Sequence, residues 1–361
     1  MTDSNAFRRP SEASAQNEKI SIETAELFPF QIVDRTNVLL LRLTELDFRR
    51  SSFIHQIARS VDGKKYILPL NEFAGLAKNL TVLPCSRYIF HISHVGSTLL
   101  SKILGQQQQV LSLREPLLLR WLAELLNNLE KSESVVSPNQ FDEYFAACLV
   151  YYSRKFRPGN EVVIKATSYT NVLADRILGQ AHLPQAVFVY SSFPAYLATI
   201  LKTPASVNAI YDLAPSRLAR LHRLVNADTW KLYELGVGEV LAMSWVCEML
   251  TLELAAKGRE SQISWLDFDE YLNSDIQTQV QIFDHLKIRY STDDVGRMGS
   301  GETMQTYSKD PGRQYDKFAR AKDIDLILKR EAIAAAQGKA WLENAAAMHP
   351  MIADLAVRAK L

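Results

Sequence analysis

RYIFHISHVGSTLLSKIL, residues 87–104, is the stretch on which the fold turns. Tyr88, Ile89, Phe90 and Ile92 make an apolar β-run, and Leu99, Leu100, Ile103 and Leu104 recur at the spacing of a helix's buried face. Between them, Gly96 lets the backbone approach an anion, and Ser97 and Thr98 set hydroxyls beside the first N–H groups of the helix. A strand, a Gly-Ser-Thr turn and a helix start in this order use free backbone amides to hold a phosphate. The nucleoside-triphosphate loop, with four residues between two glycines and then Lys-Ser/Thr, is absent. The segment therefore predicts a phosphate site that is not an ordinary Mg-ATP site. The same turn also suits a plainly capped helix, so the choice rests on the segments that follow.

The chain's 361 residues, 47% of them hydrophobic, can bury a core for one large α/β domain or two smaller ones. Lys+Arg at 41 against Asp+Glu at 40 leaves no global basic field, and no local basic patch is visible, so nucleic acid is not an expected partner. An anionic small ligand is compatible with that balance. Cys85, Cys148 and Cys247 are far apart, odd in number and set in apolar surroundings. That pattern fits buried thiols in a reducing compartment and gives no zinc spacing, and no metal is expected. The polar N-terminus has no apolar signal core, and no run approaches the roughly eighteen apolar residues of a membrane span, so a cytoplasmic protein without membrane contact is expected.

Residues 1–20 read as a disordered tail, 21–84 as a small α/β or hairpin elaboration containing VLLLRL and KYILPL, and 85–320 as the main domain. In that domain the β-runs YIFHI, EVVIK, QAVFVY and QISWLDF alternate with helical stretches, which predicts an α/β fold with a parallel central sheet covered by helices. Residues 321–361 read as closing helices, broken near Gly338 and stopped at His349-Pro350.

Five segments then occur in an order that resembles the sulfotransferase family. SHVGSTLL is similar to that family's 5′-phosphosulfate loop, with His94 where the family usually has Lys or Arg, and Val95, Gly96, Ser97, Thr98 and Leu99 as its binding residues. VLSLREPLLLRWLAEL, residues 110–125, resembles the segment after the second strand, and EVVIKATSYTNVLADRIL, residues 161–178, the Lys-Ser/Thr segment after the third, with a helix from about Asn171. QAVFVYSSFPAYLATILK resembles the 3′-phosphate strand and helix. It keeps Ser191, Ser192 and Thr199 but lacks the family's Arg, for which Arg297, Lys309 and Arg313 in the Gly-rich stretch 297–316 are candidate substitutes. A solvated charged loop is the equal alternative for that stretch. Residues 241–288 match a late family signature whose Trp245, Phe268, Leu272, Phe283 and Leu286 read as core.

The resemblance implies a P-loop NTPase-like sulfotransferase fold, 3′-phosphoadenosine 5′-phosphosulfate as co-substrate, and a small-molecule, carbohydrate or peptide acceptor. It further implies that Glu115 takes the acceptor's proton and that Lys165, with His94, stabilises charge as the sulfuryl group leaves. Three local alternatives stay open. Glu115 equally fits a cap on the turn at 116–119, Lys165 fits an ordinary strand-end lysine, and His94 fits a packed strand-end histidine. Two functional alternatives also stay open: a sulfotransferase-like protein that binds a nucleotide or partner without turnover, and a P-loop kinase of small molecules, for which the loop lacks the lysine. Trp121, Tyr144, Tyr151, Tyr152, Tyr169 and Tyr211 are either an apolar acceptor pocket or core. The oligomeric state is not legible.

Overall fold

The computed structural model describes residues 23–57, 65–82, 84, 87–291, 294, 306–307, 310–314 and 316–360, with backbone alone at 306–307 and 310–314. The tail expected over residues 1–20 lies outside them, as does Cys85. The first unit is an antiparallel sheet of β1 (Leu27–Ile32), β2 (Asn37–Arg42) and β3 (Lys65–Pro69). Short helices α1 (Glu45–Arg50) and α2 (Ile54–Ile57) precede β3, and α3 (Leu70–Lys78) follows it. Thr44 starts α1 with a capping box, accepting from the Asp47 N–H at 3.3 Å while its own N–H donates to Asp47 Oδ2 at 2.7 Å.

Next comes the α/β fold expected from the alternating pattern. In chain order its elements begin with β4 (Arg87–His91), α4 (Ser97–Leu104), β5 (Val110–Arg114), α5 (Leu117–Asn128), α6 (Pro138–Tyr152), β6 (Glu161–Lys165), α7 (Ala174–Leu178) and β7 (Gln185–Tyr190). They continue with α8 (Phe193–Leu201), α9 (Pro204–Tyr211), α10 (Ala214–Val225), α11 (Val237–Ala256), β8 (Ile263–Asp267), α12 (Phe268–Asn273) and α13 (Ile276–His285). The strands form one parallel sheet in the order β5-β6-β4-β7-β8. Both faces are covered by helices, which is why YIF, VVI and AVFVY are near-continuous apolar runs instead of alternating ones. The chain leaves β4 toward β5 on one side and leaves β7 toward β8 on the other. The connections diverge between β4 and β7, and a crevice opens outside the strand C-termini at such a point.

A two-stranded pair, β9 (Thr306–Tyr307) with β10 (Asp310–Gln314), precedes the closing helices α14 (Lys317–Arg330), α15 (Ala332–Met348), α16 (Pro350–Ala353) and α17 (Ala356–Ala359). Two sequence expectations need correction here. The closing helices do not break at Gly338: α15 runs through it, and the interruption falls at Glu331. A Cβ on Gly338 would come within 2.6 Å of the Gly238 carbonyl oxygen, and one on Gly238 within 1.9 Å of the Ala334 oxygen, so the two glycines serve the close crossing of α11 and α15. Nor does an α-helix start at Asn171. Ser168–Leu173 forms a 3₁₀ turn first, because Asn171 is drawn inward to bond the His91 carbonyl.

Cys148 and Cys247 are buried and unbridged, and burial pushes both thiols up. Among the described residues no helix is long and apolar enough to cross a membrane.

Candidate anion and acceptor site

A cavity of about 540 Å³ opens at the C-terminal edge of the parallel sheet. Because the strands are parallel and adjacent, the sheet order also orders the residues at their C-terminal ends: Glu115 after β5, Lys165 ending β6, residues 92–96 after β4, Ser191 after β7 and Phe268 after β8.

At the centre, the loop from β4 is tightly wound. Ser93, His94 and Gly96 all have positive φ, at 80°, 54° and 73°. For serine and histidine that conformation is strained and needs support from outside. Part of it is local, since the Ser93 N–H donates to His91 Nδ1 at 3.0 Å. Part comes from beneath, where Asn171 Nδ2 donates to the His91 carbonyl at 3.0 Å and to Glu248 Oε2 at 2.9 Å. Glu248 is fully buried and carries Arg217 Nε at 2.8 Å and Arg220 Nη2 at 2.7 Å on its other oxygen. Arg217 reaches on to Ser168 Oγ at 3.4 Å, and Ser168 lines the cavity. One carboxylate between two guanidiniums leaves a net positive charge behind the loop. Above it, Ser97, Thr98 and Leu99 open α4 with amides that have no intrahelical acceptor, at the positive end of the helix dipole. Gly96 is required twice over: its φ favours glycine, and a Cβ there would lie 1.9 Å from the Phe268 ring.

On one flank, Lys165 is 1% exposed and its ammonium is paired with Glu115 Oε1. Glu115 has φ 61°, and its N–H donates to the Lys165 carbonyl at 2.8 Å, continuing the β5–β6 ladder by one step. Pro116 is the residue that precedes α5, and in the first turn the Leu118 N–H donates to Tyr152 Oη at 3.3 Å while the Glu115 carboxylate turns to Lys165, so the capping alternative for Glu115 is not what the structure shows. Thr167 Oγ1 also lines this part of the cavity, buried and without a hydrogen-bond partner among the described residues.

On the other flank, a guanidinium from α14 reaches the hydroxyls after β7 and on α8. Arg320 is 5% exposed and donates from Nη1 to Thr199 Oγ1 at 3.3 Å and from Nη2 to Ser191 Oγ at 3.5 Å. Asp269 holds it at 2.6 Å through Nε and 3.2 Å through Nη2, and the Phe268 ring lies 5.0 Å beneath it. Among the described residues every Lys or Arg lining the cavity is paired with a carboxylate: Lys165 with Glu115, Lys202 with Asp323, and Arg320 with Asp269.

The cavity thus gathers His94, Val95, Gly96, Ser97, Thr98, Leu99, Glu115, Lys165 and Thr199. Ser191 stands behind its wall on Arg320, and Ser192 precedes α8 without lining it. Arg297 and Lys309 lie outside the described residues, as does the side chain of Arg313. Phe268 and Leu272, expected only as core, are cavity wall as well, whereas Trp245, Phe283 and Leu286 are core. None of Trp121, Tyr144, Tyr151, Tyr152, Tyr169 or Tyr211 lines the cavity. Tyr151 and Tyr152 are fully buried, and Tyr211 is exposed on α9. Sequence reasoning missed Arg320 because a guanidinium on a helix distant in the chain has no local signature, and it missed Phe53 and His55, which enter the cavity from the N-terminal unit.

No protein-family model matches the chain, and no curated protein sequence does. Among solved structures it is similar to a sulfotransferase domain from the curacin biosynthetic pathway, at 13% identity over 70% of this chain and 99% of that one, with a TM-score of 0.40. It is also similar to the sulfotransferase STF9 from Mycobacterium avium, at 10% identity over 72% of this chain and 81% of that one, with a TM-score of 0.38. A third similar structure is a sulfotransferase domain of the Synechococcus PCC 7002 olefin synthase, at 14% identity over 69% and 95% of the two chains, with a TM-score of 0.35. All three are sulfotransferases.

Proposed function

We propose that this protein is a sulfotransferase that moves a sulfuryl group from 3′-phosphoadenosine 5′-phosphosulfate to a hydroxyl or amine. The observation that carries the reading is the linear order along one sheet edge: an acid–ammonium pair, an amide-rich loop, then a buried guanidinium with two hydroxyls. An ordinary phosphate site needs only the middle element. A ligand with anionic groups at both ends of a nucleoside, reacting at one of them, uses all three.

In this reading the amides at Ser97–Leu99 hold the 5′-phosphosulfate, and Arg320 with Ser191 and Thr199 holds the 3′-phosphate. The acceptor approaches from the Glu115 side. Its oxygen lone pair forms the new O–S bond while the S–O bond to the phosphate breaks, the electron pair leaving with the phosphate to give the 3′,5′-bisphosphate. The acceptor's proton passes to the Glu115 carboxylate. Lys165, fixed at the end of a buried strand, meets the charge that builds on the bridging oxygen, so its stabilisation is needed in the transition state more than in binding. His94 lines the same cavity in the position of the family's cation and supplies a ring N–H there.

The test is sulfuryl transfer from this donor to a panel of hydroxyl and amine acceptors by the wild type, Lys165→Ala and Glu115→Gln. Each substitution should lower turnover on the order of a hundredfold with donor affinity retained. Tight binding of the bisphosphate by a wild type that transfers to no acceptor would favour the binding-only alternative, for which the carboxylate on each lining Lys and Arg among the described residues speaks.

A further inference from the structure

We infer that the N-terminal unit is the acceptor-recognition element, and that Phe53 and His55 form a stacking platform for a planar, unsaturated ring bearing the hydroxyl. This rests on the sulfotransferase reading for the identity of the acceptor end. In the sheet order, β5 is the edge strand on the Glu115–Lys165 side, and the N-terminal unit packs beyond it. Arg114 ties the two together: from the end of β5 its Nη1 donates to the Phe48 carbonyl at 3.2 Å and to the Ser51 carbonyl at 2.5 Å, while Nε donates to Ser101 Oγ at 3.2 Å. Arg114 is 4% exposed with its donors on these acceptors, a buried structural clamp, and burial, with Arg49 nearby, lowers its pKa to about 10.

The clamp fixes the segment that carries Phe53 and His55. Their rings are nearly parallel, 16° between planes and 5.4 Å between centroids, and both line the cavity. The Lys165 ammonium sits 5.6 Å from the Phe53 centroid, which places this slab beside the reacting groups. Glu115 and Lys165 hold each other at this end and Ser168 receives Arg217, which leaves Thr167 Oγ1 as the buried side-chain oxygen without a partner among the described residues that line it. A sugar, with many hydroxyls to satisfy, finds few side-chain partners there, and a saturated alcohol gains only dispersion from the outer face of the stacked pair. An aromatic ring gains offset stacking as well, and a hydroxyl on its rim points to Glu115.

The experiment follows the His55 ring proton by NMR in the full chain during titration with 2-naphthol, with its fully saturated analogue and with glucose, the bisphosphate being titrated separately by calorimetry. The naphthol should move the His55 resonance and bind about tenfold tighter than the saturated ring, and Phe53→Ala should remove that advantage while changing bisphosphate affinity less than about twofold. Should that variant misfold, Phe53→Leu keeps the bulk without the π-face and should abolish the same preference. Equal binding of the two rings, no His55 shift, or a preference that survives both substitutions overturns the platform. Loss of bisphosphate binding in the wild type with naphthol binding intact would instead remove the donor reading and leave the platform standing.

Discussion

Replacing Arg320 by alanine should separate recognition of a 3′-phosphate from recognition of the rest of the nucleotide. The guanidinium is 5% exposed and aims Nη1 at Thr199 and Nη2 at Ser191, while Asp269 takes Nε and shares Nη2. A 3′-phosphate seated beside Thr199 and Ser191 therefore gains one or two charge-assisted hydrogen bonds, from Nη1, which Asp269 does not touch, and from the Nη2 hydrogen that points to Ser191. Such bonds are worth about 1.5–3 kcal/mol each, and sharing the cation with Asp269 holds the total near the upper end of a single one. A loss of about 2–3 kcal/mol weakens 3′-phosphoadenosine 5′-phosphate by roughly 30- to 150-fold. Adenosine 5′-phosphosulfate, which has no 3′-phosphate, should bind the variant and the wild type within about twofold of each other. Arg320→Lys restores the charge without the planar fork and should recover about tenfold of the loss. Calorimetric titrations at one fixed ionic strength measure all of these, since exposed charge interactions are screened by salt. A melting curve of each variant checks the fold, because Asp269 loses its partner. Equal losses for both nucleotides, or none for the bisphosphate, would refute the assignment of Arg320 to the 3′ end.

Gly96→Ala should weaken bisphosphate binding by at least about tenfold, because the backbone is at φ 73° and the new methyl meets Phe268. A second substitution, Phe268→Ala, should relieve the contact without restoring affinity, as calorimetry would show. Glu248→Ala strands two buried guanidiniums and should lower stability by about 3–5 kcal/mol in urea unfolding, far more than a surface carboxylate would. His285 lies half-buried with Nε2 at 3.0 Å from the Ala186 carbonyl, and burial lowers its pKa below the ordinary 6.5. Between those two values the unfolded chain binds a proton that the fold does not. This contribution is therefore complete above 6.5 and is lost as pH falls through that value toward the lower folded one. His285→Gln should flatten the wild-type decline in melting temperature between pH 7.5 and 5.5.

Local features of the site were legible because each is written in a few adjacent residues. The strand, Gly96 and helix start of residues 87–104 specify their own geometry, and EVVIK ends on Lys165 where a buried strand must stop. What stayed hidden depends on residues that meet only after folding. Arg320 reaches Ser191 from a helix about 130 residues later, so no spacing could announce the contact. Gly338 reads as a helix break on propensity, yet the tertiary crossing with Gly238 decides its role. The positive φ of Ser93, His94 and Glu115 is imposed by neighbours such as His91, Asn171 and Lys165, and neither serine, histidine nor glutamate carries that preference in its own chemistry. Phe53 and His55 are unremarkable in a polar stretch until Arg114 pins that stretch over the sheet edge.

The most direct measurement is a crystal structure of the protein with 3′-phosphoadenosine 5′-phosphate. The 5′-phosphate should lie on the amides of Ser97, Thr98 and Leu99 and the 3′-phosphate beside Arg320, Ser191 and Thr199, leaving the Glu115–Lys165 end free for an acceptor. A nucleotide bound in the reverse direction, or outside this cavity, would contradict the proposed reading of the site.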